Sequence, residues 1–439
     1  MAESNVFHRC LDKRLPKAIK AQGVLIYDDQ GNKYLDASGG PICVNVGHAR
    51  KEIAEAVYRQ ICEIAYVHGP MFTTESIEKL AAALSRHAPE GIDRFYFCSG
   101  GGEAVETAIK LARQIHLCNG EPKRYRTISR WLSYHGATLG TLAVGGKTSM
   151  RQSYIDMLPA SIHIPAPYCL RCHYNLSYPG CDLRCGQVLE DVILLEGKES
   201  ISAFIAEPVC GATIGAVVPP PGYNRRISEI CKKYGVLLIF DEIMTGIGRT
   251  GKWFASEHED IRPDIIILAK GLSSGYLPLS AVGCKASHVE SIRQFSGNFI
   301  HGGTFSHHAV SGAAALSVIE IIERENLVDQ SQKMGHYLGK ILQPLCELEH
   351  VVDVRGIGLM RAIELVEDKD RLTPYPRSMK VAENLFKKLL DVGLITYPCM
   401  GFAGGQGDAL MLGPPFIITE EQLNFCVEKI KSVILEILS

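Results

Sequence analysis

Two short apolar runs, each stopped by a charge, constrain this chain more than any other feature of it. Val236 to Phe240 (VLLIF) runs into Asp241, and Ile265 to Ala269 (IIILA) runs into Lys270. Runs of about five β-branched and aliphatic residues between polar turns suit strands covered on both faces, as in a parallel sheet. In open α/β sheets the ligand sits outside the carboxyl ends of the strands, so Asp241 and Lys270 are placed to face one small molecule together. A desolvated amine can form a Schiff base with an aldehyde, and a carboxylate can keep a pyridinium nitrogen protonated. An aspartate capping a following helix and a solvated lysine at a strand end satisfy the same spacing, which by itself does not choose between the two readings.

The longer segments around the two residues do choose. FDEIMTGIGRTG at 240–251, with Asp241 and Arg249, and PDIIILAKGLSSGYLPLSA at 263–281, with Lys270, resemble the class III (omega-type) aminotransferases of fold type I, which use pyridoxal 5'-phosphate. The similarity runs from about Gly23 to the C-terminus. It implies an α/β protein whose large domain, residues 59–326, has a mostly parallel central sheet and binds the cofactor. Residues 1–58 and 327–439 would together form a smaller α+β domain.

Further segments carry the resemblance and bring site residues with them. Arg94 to Cys98 has strand character, Ser99-Gly-Gly-Gly-Glu103 follows, and Ala104, Ala108, Leu111, Ala112 and Ile115 recur at helical spacing. A strand, glycine turn and helix in that order aim free N–H groups and the positive end of the helix dipole at an anion. The resemblance makes that anion the cofactor phosphate, held by Gly101 and Gly102. Family members usually have a serine where this chain has Gly102. The segment 131–136, WLSYHG, matches the family's Y-H-G, which places Tyr134 on the face of the cofactor ring with His135 beside it. Stacking of this kind is worth on the order of 1 kcal/mol beyond area burial. The resemblance also gives Ile243 to the cofactor pocket, Lys270 the roles of Schiff-base amine and proton carrier, and Asp241 the ring nitrogen. Thr304, in HGGTFSHH at 301–308, would reach the phosphate of a neighbouring subunit, which implies a homodimer with active sites at the interface.

Departures from the family pattern bear on the substrate. Ile42 stands where many omega-type members have a tryptophan at the substrate mouth, and Met244 where the 4-aminobutyrate type has a glutamine. Glu207, in FIAEPVCG at 204–211, is a glutamate that many members pair with an arginine near the C-terminus. Here the arginine position is Met411, and Gly404, Gly405 and Gln406 occupy the neighbourhood from which some members supply a mobile arginine. Bidentate arginine is the strong carboxylate binder, so ordinary α-amino-acid specificity is in doubt. The expected chemistry is transamination from an amine or omega-amino acid to a keto acid such as pyruvate. A racemase, epimerase or aminomutase of the same fold is the alternative, because one lysine can return a proton as well as pass it on.

Other sequence signals exclude more than they add. Gly145-Gly146-Lys147-Thr148 has the G-K-T of a P-loop, but the glycine required five positions before Gly146 is Thr141. Formal net charge is −2, with no basic block, which gives no electrostatic reason to expect nucleic acid or membrane partners. No apolar run of signal-peptide or membrane-spanning length is present, so a cytoplasmic enzyme is expected. Of 15 cysteines most stand alone in apolar contexts. Cys169, Cys172, Cys181 and Cys185 give C-x2-C followed by C-x3-C, a spacing compatible with structural zinc or with free thiols. No metal is expected in catalysis.

Overall fold

The computed structural model describes residues 5–11 and 15–438. An N-terminal meander comes first, formed by β1 (Ala18–Gln22), β2 (Leu25–Asp28) and β3 (Lys33–Asp36). Its β2–β3 turn, over the sequence D-D-Q-G-N, is closed by Asp28, whose Oδ1 accepts hydrogen bonds from the Gln30 and Asn32 amides at 3.0 and 2.8 Å.

The central layer is a seven-stranded sheet of β4 (Ile92–Cys98), β5 (Arg126–Arg130), β6 (Ile162–Ile164), β7 (Ile201–Ala206), β8 (Leu237–Asp241), β9 (Ile265–Leu268) and β10 (Ser280–Lys285). Their spatial order is β4-β10-β9-β8-β7-β5-β6. The run from β9 to β6 is parallel throughout, and β10 lies antiparallel to both its neighbours. Alternation along β8 shows why its sequence is apolar from Leu237 to Phe240. Ile239 faces the helix Gly101–Cys118, packing with Ala104, Val105, Ala108 and Leu111. Leu238 and Phe240 face the opposite side, against Leu189 and Ile193 of the helix Arg184–Leu195 and Ile227 and Ile230 of the helix Tyr223–Tyr234. The sheet is covered on both faces, which is the condition the two apolar runs demand. Strand β9 stops one residue earlier than the apolar run suggests: Ala269 leaves the ladder, and Asp241 stands opposite Ile267.

The C-terminal part builds a second sheet from β11 (Val351–Ile357), β12 (Met360–Leu365), β14 (Tyr397–Ala403) and β15 (Gln406–Leu412), in the antiparallel order β11-β12-β15-β14. Between them, β13 (Leu394–Ile395) crosses to the N-terminal meander and pairs parallel with β3, Leu394 opposite Leu35. Residues far apart in sequence thus share one four-stranded sheet, and the architecture is the expected α/β one. No helix among the described residues is long and apolar enough to cross a membrane.

Candidate active site

Asp241 is the last residue of β8 and is 3% exposed. Its Oδ1 accepts from the Ile243 amide at 3.1 Å, and its Oδ2 lies 2.7 Å from Nδ1 of the equally buried His135, which donates to it. His135 comes from the loop after β5. Its Nε2 has no partner among the described residues, so the imidazole is fixed at one nitrogen only. The adjacent acid has a different fate. Glu242 turns away from the sheet end and accepts from the Ala255 and Ser256 amides, both at 2.9 Å, and from the Thr245 hydroxyl at 2.6 Å.

Lys270 follows β9 with a left-handed backbone, φ 43°. Removal of its amine from water lowers its pKa, an effect opposed in part by the charges of Asp241, Cys43 and Glu207. The next residue must be glycine, because a Cβ on Gly271 would collide with the Asn45 side-chain amide. That close approach pins the lysine turn to the N-terminal segment.

A cavity of about 580 Å³ opens at this end of the sheet, and Lys270, Asp241, His135, Tyr134, Ile243, Glu207, Gly101 and Gly102 all line it. Gly101 and Gly102 begin the helix Gly101–Cys118, whose first-turn amides have no helical acceptor. Glu103 covers the residues just before them, its Oε2 accepting from the Ser99 amide at 2.9 Å. A Cβ on Gly102 would meet nothing closer than 3.8 Å, so the glycine answers no steric demand.

One residue expected at this cavity lies elsewhere. Ile42 is 1% exposed and does not line the cavity; Pro41 and Cys43 do. The chain kinks at Gly40 and Pro41, and Ile42 itself has φ 60°, which turns its side chain inward against Gly413 and into the apolar cluster that also holds Met411. The expectation that Ile42 shapes the substrate mouth is therefore corrected: its side chain packs inside that cluster and not on the cavity wall. Thr304 is exposed and outside this cavity.

Several lining residues carry no signal in the sequence, among them Arg9, Lys147 and Tyr397. Arg130, which does not itself line the cavity, carries none either, although it ends β5 much as Asp241 ends β8. It is buried behind Glu207, donating from Nη2 to the Glu207 carbonyl at 2.5 Å and lying 3.6 Å from Oε2. Burial nonetheless raises the Glu207 pKa. The arginine near Glu207 thus comes from inside the sheet rather than from the C-terminal segment, where Met411 is fully buried. Cys169, Cys172, Cys181 and Cys185 are unpaired and line one small cavity together with His173. Among the described residues no group of three His, Cys, Asp or Glu side chains is arranged to hold a metal ion.

A buried acid, a desolvated amine and a helix N-terminus thus meet around one cavity. Comparison with known proteins gives the family. The class III aminotransferase family profile matches residues 11–434, and this chain belongs to that family. Its members use pyridoxal phosphate. The chain is 36% identical over 411 residues to the putrescine–pyruvate aminotransferase of Pseudomonas aeruginosa, covering 92% of this chain and 87% of that protein. An (S)-enantioselective omega-transaminase from Thermomicrobium roseum superposes with a TM-score of 0.91 at 36% identity, covering 97% of this chain and 93% of that one. The omega-transaminase of Pseudomonas jessenii in complex with PMP gives 0.89 at 32% identity, covering 96% and 93%. The fold is fold type I, and the chain is an aminotransferase.

Proposed function

We propose that this chain is a pyridoxal 5'-phosphate-dependent transaminase that takes an amino group from an amine or omega-amino acid and delivers it to a keto acid such as pyruvate. The observation that carries the reading is the convergence of Lys270, Asp241 and His135 on one cavity from the ends of adjacent strands and the loop beside them. The residues present fit the cofactor. Asp241 offers a buried carboxylate, Lys270 a desolvated amine, Tyr134 an aromatic wall, Ile243 an apolar one, and Gly101 and Gly102 a helix N-terminus for a phosphate.

When bound, the cofactor supplies an electron sink for the substrate carbon that loses a proton, and a carrier for the amino group. The chain supplies the rest. Lys270 takes a proton at Nζ and gives it up again; its lowered pKa keeps more of that amine unprotonated and ready to accept it. Asp241 holds a negative charge at the sheet end, and His135 fixes the orientation of that carboxylate. Glu207, neutralised from behind by Arg130, leaves the substrate side of the cavity without a strong negative charge. A donor lacking an α-carboxylate suits a chain with Met411 at the arginine position, and the relative that acts on putrescine and pyruvate supports such a donor and acceptor.

The working unit in this proposal is a cytoplasmic homodimer, with residues 59–326 as the cofactor-binding domain and 1–58 and 327–439 as the smaller one. Fifteen unpaired cysteines suit a reducing compartment. Tyr66, Met71, Phe72, Ile300 and Phe305 are exposed, with Tyr66 and Phe305, next to Thr304 in sequence, in edge contact at 6.2 Å; apolar surface of this kind suits a partner subunit. The test is Lys270→Ala. It should abolish turnover and remove the visible absorbance of lysine-bound cofactor, and persistence of both would refute the assignment.

A further inference from the structure

The cavity holds two cations that transamination as described leaves without a role. Lys147 and Arg9 both line it, and neither has an ion-pair or hydrogen-bond partner for its side chain among the described residues. Burial lowers the pKa of the Lys147 amine; Cys399 opposes this in part, and the Arg9 charge, close enough to act on the amine, lowers it further. Two like charges converging without an anion among the described residues are electrostatically incomplete there. The acids of the cavity are committed elsewhere, Asp241 to His135 and Glu207 to Arg130.

The loop that presents Lys147 is firmly seated. Gly146 approaches the strand end so closely that a Cβ on it would collide with the backbone of Arg130, Trp131 and Leu132, and its amide donates to the Ser133 carbonyl at 3.0 Å. Lys147, the next residue, lines the cavity together with Tyr134 and His135. Arg9 is exposed and sits at the rim. The place where the family's arginine would stand is filled by the buried Met411, and the β14–β15 hairpin tip, Gly404-Gly405-Gln406, carries no cation.

We propose that Lys147 and Arg9 form the carboxylate-binding subsite of this cavity and receive the carboxylate of the keto-acid acceptor in place of the missing arginine. The inference rests on the transaminase reading for the identity of the ligand, and on the cation pair alone for its charge. Lysine and an exposed arginine make a point-charge site rather than a fixed bidentate clamp, so the subsite accepts carboxylates at more than one distance from the reacting carbon and discriminates weakly among keto acids.

The experiment compares the parent with the double variant Lys147→Gln/Arg9→Gln and with Lys147→Arg. In the double variant KM for pyruvate should rise at least tenfold more than KM for 1-aminobutane, which has no carboxylate, while Lys147→Arg keeps most of the parent's pyruvate affinity. Independently of turnover, calorimetric titration of each protein as isolated with propionate should show binding to the parent weakened at least tenfold in the double variant. Propionate affinity and pyruvate KM both within twofold of the parent would overturn the subsite. Loss of cofactor absorbance in the parent would sink the transaminase reading, and the propionate titration would still decide the cation pair.

Discussion

Asp241 and Arg249 belong to one short motif and both are buried, yet they do opposite things. Arg249 is 1% exposed and spends its guanidinium on backbone and amide oxygens: Nη1 donates to the Leu359 and Pro414 carbonyls at 2.9 and 2.6 Å, and Nη2 to Asn45 Oδ1 at 2.7 Å. It lies 4.7 Å from the centre of the Phe416 ring, and only its Nε lacks an acceptor. Four stretches of chain meet on it: the N-terminal segment, the loop after β8, the turn between β11 and β12, and the segment after β15. Asp241 touches one side chain, His135, whose other nitrogen is unpartnered, and its carboxylate borders a cavity. A buried charge whose donors are taken up by surrounding carbonyls holds the fold; one left partly open to a cavity is held ready for something else.

Substituting each residue would break this contrast if it is wrong. Asp241→Asn keeps the shape and should lower turnover by about 10²–10⁴-fold, the range for a misplaced proton-transfer or charge-stabilising group, with little change in the urea unfolding midpoint. Arg249→Leu leaves three buried oxygens unpaired and should destabilise the protein by about 3 kcal/mol or more, with folded molecules keeping much of their turnover. Steady-state kinetics and urea unfolding on both variants test the pair. An Arg249→Leu protein of parental stability, or an Asp241→Asn protein that unfolds early, would remove the distinction.

The part of this site legible in the sequence is the part that sheet physics dictates. Runs buried on both faces suit central strands, and the charges that end them then lie at the carboxyl edge, so the pattern puts Asp241 and Lys270 at one edge and the resemblance is what gives them a common ligand. The resemblance adds Gly101, Gly102, Tyr134, His135, Ile243 and Glu207, all of which line the same cavity. Ile42 is unreadable because its direction depends on a kink at Gly40 and Pro41 and on its own positive φ, neither of which leaves a periodic trace. Arg130, Lys147 and Arg9 are illegible for another reason. Each is an ordinary polar residue until folding sets it beside a group from a distant segment. Lys147 lies in a stretch that matches a P-loop only in part, and rejecting that match says nothing of where the amine points.

A partly buried group sharpens the contrast through pH. His163 packs its ring on Trp131 at 4.3 Å and lies 3.2 Å from the Gly145 carbonyl, so it supports the loop that carries Lys147. Burial, with the Arg151 charge, pushes its pKa down from 6.5 to about 4. Between those values the unfolded chain binds more protons than the folded one, so stability is full above about pH 6.5 and declines as pH falls toward 4. His163→Phe keeps the stack and removes the titration. Its urea midpoint should vary less with pH between 4 and 6.5 than the parent's, and an identical pH profile would show that the ring carries no such cost.

The smallest effect is expected at Gly102, and it separates glycines that the backbone requires from those it merely tolerates. Gly146 cannot carry a side chain, since a Cβ there meets backbone atoms of the neighbouring strand end. A Cβ at Gly102 would have no neighbour closer than 3.8 Å, and the residue has no positive φ. Gly102→Ser should therefore alter stability by no more than about 0.5 kcal/mol, the usual range for substitutions that disturb no packing. A hydroxyl at the start of the helix Gly101–Cys118 adds one donor to a site already rich in free amides, so cofactor release on dilution should slow or stay the same. Faster release would mean that the space beside Gly102 is needed by the phosphate itself, and that the helix start is shaped to this chain's own requirement rather than stripped of a serine without consequence.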